Sequence, residues 1–524
     1  MKRRSVAVDP EPKKQKEVLC NGIAYIDPEC KEKLDTGHIY IENGDIYDVM
    51  LNQTNLGMNN NKFYLMQLIE DNISKSYSIW FRWGRVGSTG QSKLVPYGSN
   101  LEVAKGSFCS KFHDKTKNHW SDRKYFVKFD GKYDVVQIQY ADSKENQNPK
   151  APSTVQPSKL DPRVKEIMEL ICNINDLDLH MKKLNYDSTR LPLGKLSLEQ
   201  VNKGFSSMKE ISIIVERIES LKKPKASNKR SAKNSASEIT TLRRELIKIT
   251  SEYYTRIPHD FGMQTPPILD NLDAVKDEFK LLEVLRNIQY TISVVEEKKS
   301  SVLKKNPLDL CYDEMKCVVC PLDQGSEEYR ILCKYFESTK GATHDRTYKI
   351  AEIFSLKKSS KKSTNKGSTN KKLLWHGSRL TNWYSILSKG LKIAPPEAPT
   401  TGYMFGKGVY FSDCSSKSAN YIFPSEDPGF GFMALCSVDL GNIHDMYQCC
   451  YELPEALPPG KESVCGVGKS IPSRAVKLDQ DIVPLGPLIP NKTLSQVPSL
   501  LYNEFIVYDT DKVEMKYLVK VEYD

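Results

Sequence analysis

A histidine, three tyrosines, a serine, a lysine and one distant glutamate are the residues of this sequence whose types and spacing suit chemistry. Leu373-Leu374-Trp375-His376-Gly377-Ser378 reads as a short apolar strand that ends in an imidazole and then a glycine, where no Cβ keeps the backbone from a ligand. Thr401-Gly402-Tyr403-Met404-Phe405-Gly406-Lys407-Gly408 leads into a second expected strand, Val409-Tyr410-Phe411. Asp413 is the expected N-cap of a short helix carrying Lys417-Ser418-Ala419-Asn420-Tyr421. Ser418 and Tyr421 are three apart, so a helix sets a hydroxyl and an aromatic ring on one face. These pieces read as the walls of one small polar pocket, and a flat amide-bearing ring would suit that pair.

A carboxylate lies far downstream. In Leu501-Tyr502-Asn503-Glu504-Phe505-Ile506-Val507-Tyr508, the two-residue period of a strand puts Glu504, Ile506 and Tyr508 on one face. An inward carboxylate is costly unless it has a partner or a task.

Taken together, these motifs resemble the signature of the poly(ADP-ribose) polymerases, which split NAD and transfer its ADP-ribose. The resemblance implies that His376 holds the adenosine ribose, that Gly377 and Ser418 clamp the nicotinamide carboxamide, and that Tyr410 and Tyr421 sandwich its ring. Ser378, Lys392, Tyr403 and Lys417 are further donor contacts on the same basis. Lys392 stands where family members often carry an arginine, which exchanges a planar fork for a point charge. Glu504 matches the family's glutamate, and His376, Tyr410 and Glu504 are together the expected catalytic set. Breaking the nicotinamide glycosidic bond builds positive charge on the ribose, which a fixed carboxylate stabilises. In the family this glutamate also orients the acceptor ribose hydroxyl for chain extension. NAD is therefore expected as a consumed substrate, with no metal.

The elements that must position these groups fall into segments. Residues 1–20 form a basic tail with clusters Lys2-Arg3-Arg4 and Lys13-Lys14-Gln15-Lys16, spaced like a nuclear-import signal and equally like a tail that touches phosphate. Residues 21–140 are β-rich: the stretches 47–51, 63–68 and 77–83 alternate as half-buried strands do, and 104–115 reads as one helix with Phe108 and Phe112 on its buried side. Trp83-Gly84-Arg85-Val86-Gly87 is expected to make a turn that displays an indole and a guanidinium. This region, with Lys115-Thr116-Lys117-Asn118-His119-Trp120, resembles the Trp-Gly-Arg domain of the family's DNA-break-activated members. Trp83, Arg85, Lys115 and Asn118 are its expected DNA contacts.

Residues 141–160 read as a Lys-, Asn-, Pro- and Ser-rich linker, and 161–302 as amphipathic helices. Leu191-Pro192-Leu193-Gly194-Lys195-Leu196-Ser197 is expected to end in a Ser197 cap. This segment resembles the family's helical domain, which blocks NAD entry until DNA is bound, and Glu283 matches an acid near the donor site. The catalytic domain is expected over 303–524. The basic stretch 222–233, the Lys/Ser/Asn/Thr-rich stretch 357–372 and the Pro-rich loop 395–399 read as surface loops.

Bulk properties bound the alternatives. The 524 residues suit about three domains, and the net charge of +10 is compatible with nucleic acid. Thirteen scattered cysteines and no long apolar run imply reduced thiols and no membrane partner. Cys317-x-x-Cys320 lies in an expected strand without a second ligand pair, which excludes a metal or redox motif. Gly429-x-Gly431-x-x-Ala434 fits a dinucleotide fingerprint only on paper, because it follows a proline stretch instead of a strand. Gly468-Lys469-Ser470 lacks the first glycine of a phosphate loop.

The expected fold is multidomain α+β: a β-rich Trp-Gly-Arg domain, an all-α regulatory domain and a mixed α+β transferase domain with a largely antiparallel sheet. The expected function is that of a nuclear, DNA-break-activated polymerase of the short type without N-terminal zinc fingers. Its partners would be damaged DNA, NAD and acceptor proteins including itself. A mono(ADP-ribosyl)transferase and a DNA-end-binding scaffold are the competing classes.

Overall fold

The computed structural model describes residues 24–136, 156–173, 196–222, 229–300, 306–342, 347–358, 370–394, 403–422 and 429–523. The basic tail, most of the linker, the start of the 191–197 phrase, the core of the Lys/Ser/Asn/Thr stretch, the 395–399 loop and part of the 222–233 insert lie outside them. The described chain divides into two compact units, the first built from 24–52 and 62–135, the second from 53–61 and 156–523.

In the first unit, β1 (Gly37–Ile39) pairs with β5 (Asn60–Asp71), and β2 (Ile41–Glu42) forms a ribbon with β3 (Asp45–Ile46). β4 (Asp48–Asn55), β5, β6 (Tyr77–Arg85), β7 (Gln91–Gly98) and β8 (Asp134–Val136) form a sheet in the order β7-β6-β5-β4-β8. Helix α1 (Leu101–Thr116) starts where the Asn100 side chain accepts from the Val103 N–H, satisfying a donor that the first turn leaves unpaired. It buries Phe108 and Phe112 against Tyr47 and Trp120. Each such ring contributes about 1.5–3 kcal/mol by leaving water. The Trp-Gly-Arg tripeptide does not turn: Gly84 pairs with Phe63 and Arg85 with Lys62, so β6 runs through it. Of the expected turn only Val86 and Gly87 turn, because the ladder to β5 continues through Arg85.

The second unit opens with α2 (Pro162–Ile171), capped by Asp161. Its apolar face, Val164, Ile167, Met168 and Ile171, is buried in the same core as Phe354, Leu374 and Trp383. Helices α3 (Leu198–Lys222), α4 (Lys229–Arg256) and α5 (Leu272–Ser300) follow. Ser197 caps α3 as expected, its Oγ accepting from Gln200 N–H at 3.1 Å. Then come α6 (Pro307–Met315), β9 (Cys317–Pro321), α7 (Glu327–Ser338), β10 (Tyr348–Lys358), β11 (Lys371–Gly377) and α8 (Trp383–Lys389). After them lie β12 (Val409–Phe411), α9 (Ser415–Ala419), β13 (Gly429–Asp439), β14 (Ile443–Met446), β15 (Ser463–Gly466), β16 (Gly468–Leu478), β17 (Asp481–Pro490), β18 (Leu500–Tyr502), β19 (Glu504–Val507) and β20 (Val513–Tyr523).

Two sheets result, ordered β18-β16-β17-β11-β13-β20-β10-β9 and β12-β19-β15-β14. Pairing is antiparallel except for β11 with β17, β16 with β18 and β14 with β15. The larger sheet is covered on both faces: Leu374, Ala434 and Leu518 enter one core, whereas Leu373, Trp375, Met433 and Val519 enter the other. That is the two-residue alternation of a strand buried on both sides. The fold class expected from the sequence is the one observed. Both glycine decoys fall in strands, β13 and β16. Among the described residues no helix is long and apolar enough to cross a membrane.

A buried ion pair ties α4 to α5. His259 Nε2 lies 3.0 Å from a Glu278 Oε2 that also accepts from the Tyr253 hydroxyl at 2.9 Å, and Nδ1 lies 2.6 Å from the Ile257 carbonyl. Burial pushes His259 down, but the Glu278 carboxylate beside it outweighs burial and raises it; Glu278 is correspondingly lowered against its own burial. The stabilisation is fully present below the unfolded histidine value near 6.5 and is lost as pH rises through the raised folded value. His259→Gln should therefore cost about 3 kcal/mol at pH 6 and less at pH 9, measured by thermal melts at both pH values; an equal cost at both would reject the charged pair.

Candidate active site

Strand β11 delivers the first wall. His376 Nδ1 donates to the Tyr410 carbonyl at 2.9 Å, which leaves Nε2 as the acceptor, and burial lowers its basicity and keeps the ring neutral. Such a ring accepts a ribose hydroxyl. A Cβ on Gly377 would stand 1.9 Å from the Ser418 carbonyl oxygen, so only glycine lets β11 lie this close to α9. The Ser418 hydroxyl donates to the Trp375 carbonyl at 3.0 Å, and Ser378 Oγ accepts from Asn382 Nδ2 at 3.0 Å.

β12 supplies the second wall. It is joined to β11 by a bridge between Trp375 and Ser412 and pairs with β19 in a register that sets Tyr410 opposite Ile506. The Tyr410 hydroxyl donates to the Gly406 carbonyl at 2.7 Å and accepts from the Phe405 N–H at 3.0 Å. With both capacities occupied and burial pushing its pKa up, Tyr410 offers its ring and not its proton. Gly406, at φ +68° and with the Leu453 carbonyl where a Cβ would be, permits this loop to close on the phenol. Tyr403 lies 6.0 Å from Tyr410, ring to ring.

The carboxylate arrives on the neighbouring strand. Glu504 Oε1 lies 3.0 Å from Lys417 Nζ, with side-chain exposures of 12% and 14%, and the same ammonium donates to the Tyr502 carbonyl at 3.0 Å. The Glu504 charge reaches both Tyr410 and Tyr421, each already pushed up by burial. Lys417 is thus bonded to the carboxylate. One residue earlier, Asn503 donates to Asp413 at 2.8 Å and accepts from the Gly468 N–H, fixing the start of β19. Asp413 is consequently no helix cap: it is buried against Asn503, α9 begins after Cys414 without a side-chain cap, and Tyr421 lies just beyond that helix, 53% exposed.

Helix α5 reaches the same residues through polar contacts. Glu283 on α5 receives a long 3.5 Å hydrogen bond from the Tyr403 hydroxyl, and burial raises its carboxyl despite Arg286 and Arg379 nearby. Asn287 donates to Asn382, which donates to Ser378, so a polar chain runs from α5 into the His-Gly-Ser wall. Lys392 is exposed.

In the first unit, Trp83 is half-buried and stacks on Tyr64 at 5.8 Å and 19°. Lys115 Nζ lies 4.8 Å from the centre of the Tyr64 ring, which also meets Tyr133 at 6.1 Å. Arg85 is half-buried at the end of β6. The Asn118 amide exchanges bonds of 2.8 and 2.9 Å with the Val127 backbone and clasps a loop.

Comparison with known proteins decides the family. Residues 326–523 match the poly(ADP-ribose) polymerase catalytic domain, 158–312 the poly(ADP-ribose) polymerase regulatory domain and 47–127 the WGR domain. The chain is 42% identical to poly(ADP-ribose) polymerase 2 of Homo sapiens over 97% of its length and 85% of the relative's. It is 40% identical to polymerase 2-A of Oryza sativa subsp. japonica over 92% and 71%, and 34% identical to polymerase 1 of Danio rerio over 98% and 48%. This chain belongs to the poly(ADP-ribose) polymerase family. It is an NAD ADP-ribosyltransferase, and NAD is the substrate of its catalytic domain.

Sequence reasoning missed several groups that shape the polymerase's pocket: Arg379, Asn382, Asn287 and the Asn503–Asp413 pair. Their types are ordinary, and only the fold brings them in; an asparagine directly before Glu504 was the one local sign. Among the described residues no cluster of three His, Cys, Asp or Glu could hold a metal. Lys417→Met would leave Glu504 half-buried without its cation. It should lower kcat for nicotinamide release by roughly ten- to a hundredfold with KM for NAD within a few-fold; an unchanged kcat would separate Lys417 from the reaction.

Proposed function

We propose that this polymerase is switched on by DNA breaks and that His376, Tyr410 and Glu504 carry the transfer. The observation that supports this most is the Glu504 carboxylate, paired with Lys417 and joined through β12 to the neutral His376. In this reading His376 accepts a hydroxyl of the adenosine ribose, Gly377 and Ser418 hold the carboxamide, and Tyr410 and Tyr421 flank the nicotinamide. The glycosidic C–N bond breaks with its electron pair leaving on the nicotinamide nitrogen. Glu504 stabilises the cationic ribose and then orients the acceptor hydroxyl. Ser378, Lys392 and Tyr403 hold the rest of the donor.

Segment roles follow from the same reading: 21–140 binds the break through Trp83, Arg85 and Lys115, 161–302 restrains the donor site through Glu283, and 303–524 does the chemistry. The restraint is a coupling between two sites and requires two states of the helical segment. Acceptors include the chain itself, and the basic 1–20 segment directs it to the nucleus.

Labelled NAD supplied with and without nicked DNA should give strong labelling only with DNA, and Trp83→Ala with Arg85→Ala should remove most of the difference. Equal low labelling in both conditions would reject activation by breaks. Glu504→Gln should keep NAD affinity within a few-fold while abolishing long polymer on a gel; long chains from that variant would remove Glu504 from its role, and single-unit products from the unaltered protein would make it a mono-transferase.

A further inference from the structure

We propose that Asp413, acting through Asn503, is a positioning residue for the transfer: it holds the entry of β19 so that the Glu504 carboxylate stands where charge develops on the ribose. The inference rests on the role given to Glu504 above and adds the residues that aim it. Glu504 is the first residue of β19, at the end of its backbone pairing on both sides. Toward β12 the register stops at Phe411 opposite Phe505, and toward β15 it ends with Gly466 opposite Glu504 itself. A strand end of this kind opens readily unless something else holds the chain before it.

Side chains supply that hold. Asn503 Nδ2 donates to Asp413 Oδ2 at 2.8 Å, Asn503 Oδ1 accepts from the Gly468 N–H at 2.8 Å, and the Asn503 carbonyl accepts from the Ser412 hydroxyl at 3.0 Å. Three bonds thus reach one residue from two segments, the end of β12 and the start of β16. Ser412 is itself fixed, because its N–H donates to the Trp375 carbonyl at 3.0 Å and its carbonyl accepts from the Trp375 N–H at 2.9 Å. A Cβ on Gly468 would stand 2.5 Å from the Tyr502 carbonyl carbon and 2.6 Å from the Asn503 nitrogen, so β16 presses on the same backbone. Lys417 holds the Tyr502 carbonyl and the Glu504 carboxylate, each at 3.0 Å. Every residue from Tyr502 to Glu504 is gripped.

Asp413 is the member of this clamp that the fold alone would not favour. It is 4% exposed, its Oδ1 has no hydrogen-bond partner among the described residues, and burial raises its carboxyl against the pull of Asn503, Lys372 and Lys417. A carboxyl buried this way costs stability, and its bond to Asn503 is made one residue before Glu504. What the clamp uses is an acceptor oxygen at that point, which an amide also supplies. Displacing a reacting group by about 1 Å can cost about a hundredfold in rate.

Nicotinamide release from NAD is measured on the full-length protein with nicked DNA present throughout. Asp413→Ala should lower kcat by about thirtyfold with KM for NAD within threefold, and Asp413→Asn, which keeps an acceptor oxygen, should hold kcat within about threefold of the unaltered protein. In a Glu504→Gln background, Asp413→Ala should lower the residual rate by no more than about twofold, because a residue that acts through Glu504 has no carboxylate left to aim. Should thermal melts show Asp413→Ala unfolded, Ser412→Ala, which removes the hydroxyl held by the Asn503 carbonyl, tests the same clamp: about a fivefold loss of kcat, and the same silence beside Glu504→Gln. Equal losses in both backgrounds, a rise in KM in place of the fall in kcat, or full activity of Asp413→Ala would overturn the clamp. Full nicotinamide release by Glu504→Gln alone would overturn the role of Glu504 and the clamp with it, whereas a loss in Glu504→Gln beside full activity of Asp413→Ala would overturn the clamp and spare that role.

Discussion

The site depends on one pairing: a half-buried carboxylate held by one ammonium. Glu504 and Lys417 come from β19 and α9, and each half-buried side chain has the other as its counter-charge at 3.0 Å. Satisfying that pair fixes how α9 sits against β19. Since Gly377 allows β11 to touch the Ser418 carbonyl, the same contact fixes the His-Gly-Ser wall. The pocket is a consequence of strand register enforced by charge and by one missing Cβ.

Polar groups around it are used twice. Tyr410 builds the loop at Gly406 with its hydroxyl and presents its ring to the cleft, and His376 spends Nδ1 on the Tyr410 carbonyl so that Nε2 is left as an acceptor. Such locking positions a ligand without any rearrangement of the groups that hold it. The regulatory helix enters this network through Glu283 and Asn287, both of which end on residues of the donor wall. The first helix of the segment, α2, has its apolar face in the catalytic core, and α5 reaches the same core through Val294 and Val295.

Much of the architecture was legible because each element has a strong local period. The apolar run before His376 predicted a strand, the spacing of Phe108 and Phe112 predicted α1, and the Ser197 cap lies where its side chain can reach Gln200. Local signals misled where a partner from far along the chain competed for a side chain. Asp413 has the residue type of a helix cap, but Asn503 claims its carboxylate. Trp83-Gly84-Arg85 has turn composition, yet pairing with β5 keeps it extended.

By itself, the order of residues determined the family motifs, the strand and helix periods, and which side chains are candidates for chemistry, because those properties are set within a few residues of each position. Tertiary structure alone decided which partners those side chains meet: that Lys417 holds Glu504, that the Tyr410 hydroxyl is spent on the loop at Gly406, and that Lys389 lies over the Tyr290 ring. The physical reason is that charge pairing, burial and a missing Cβ act through space, between segments whose separation along the chain carries no record of their contact.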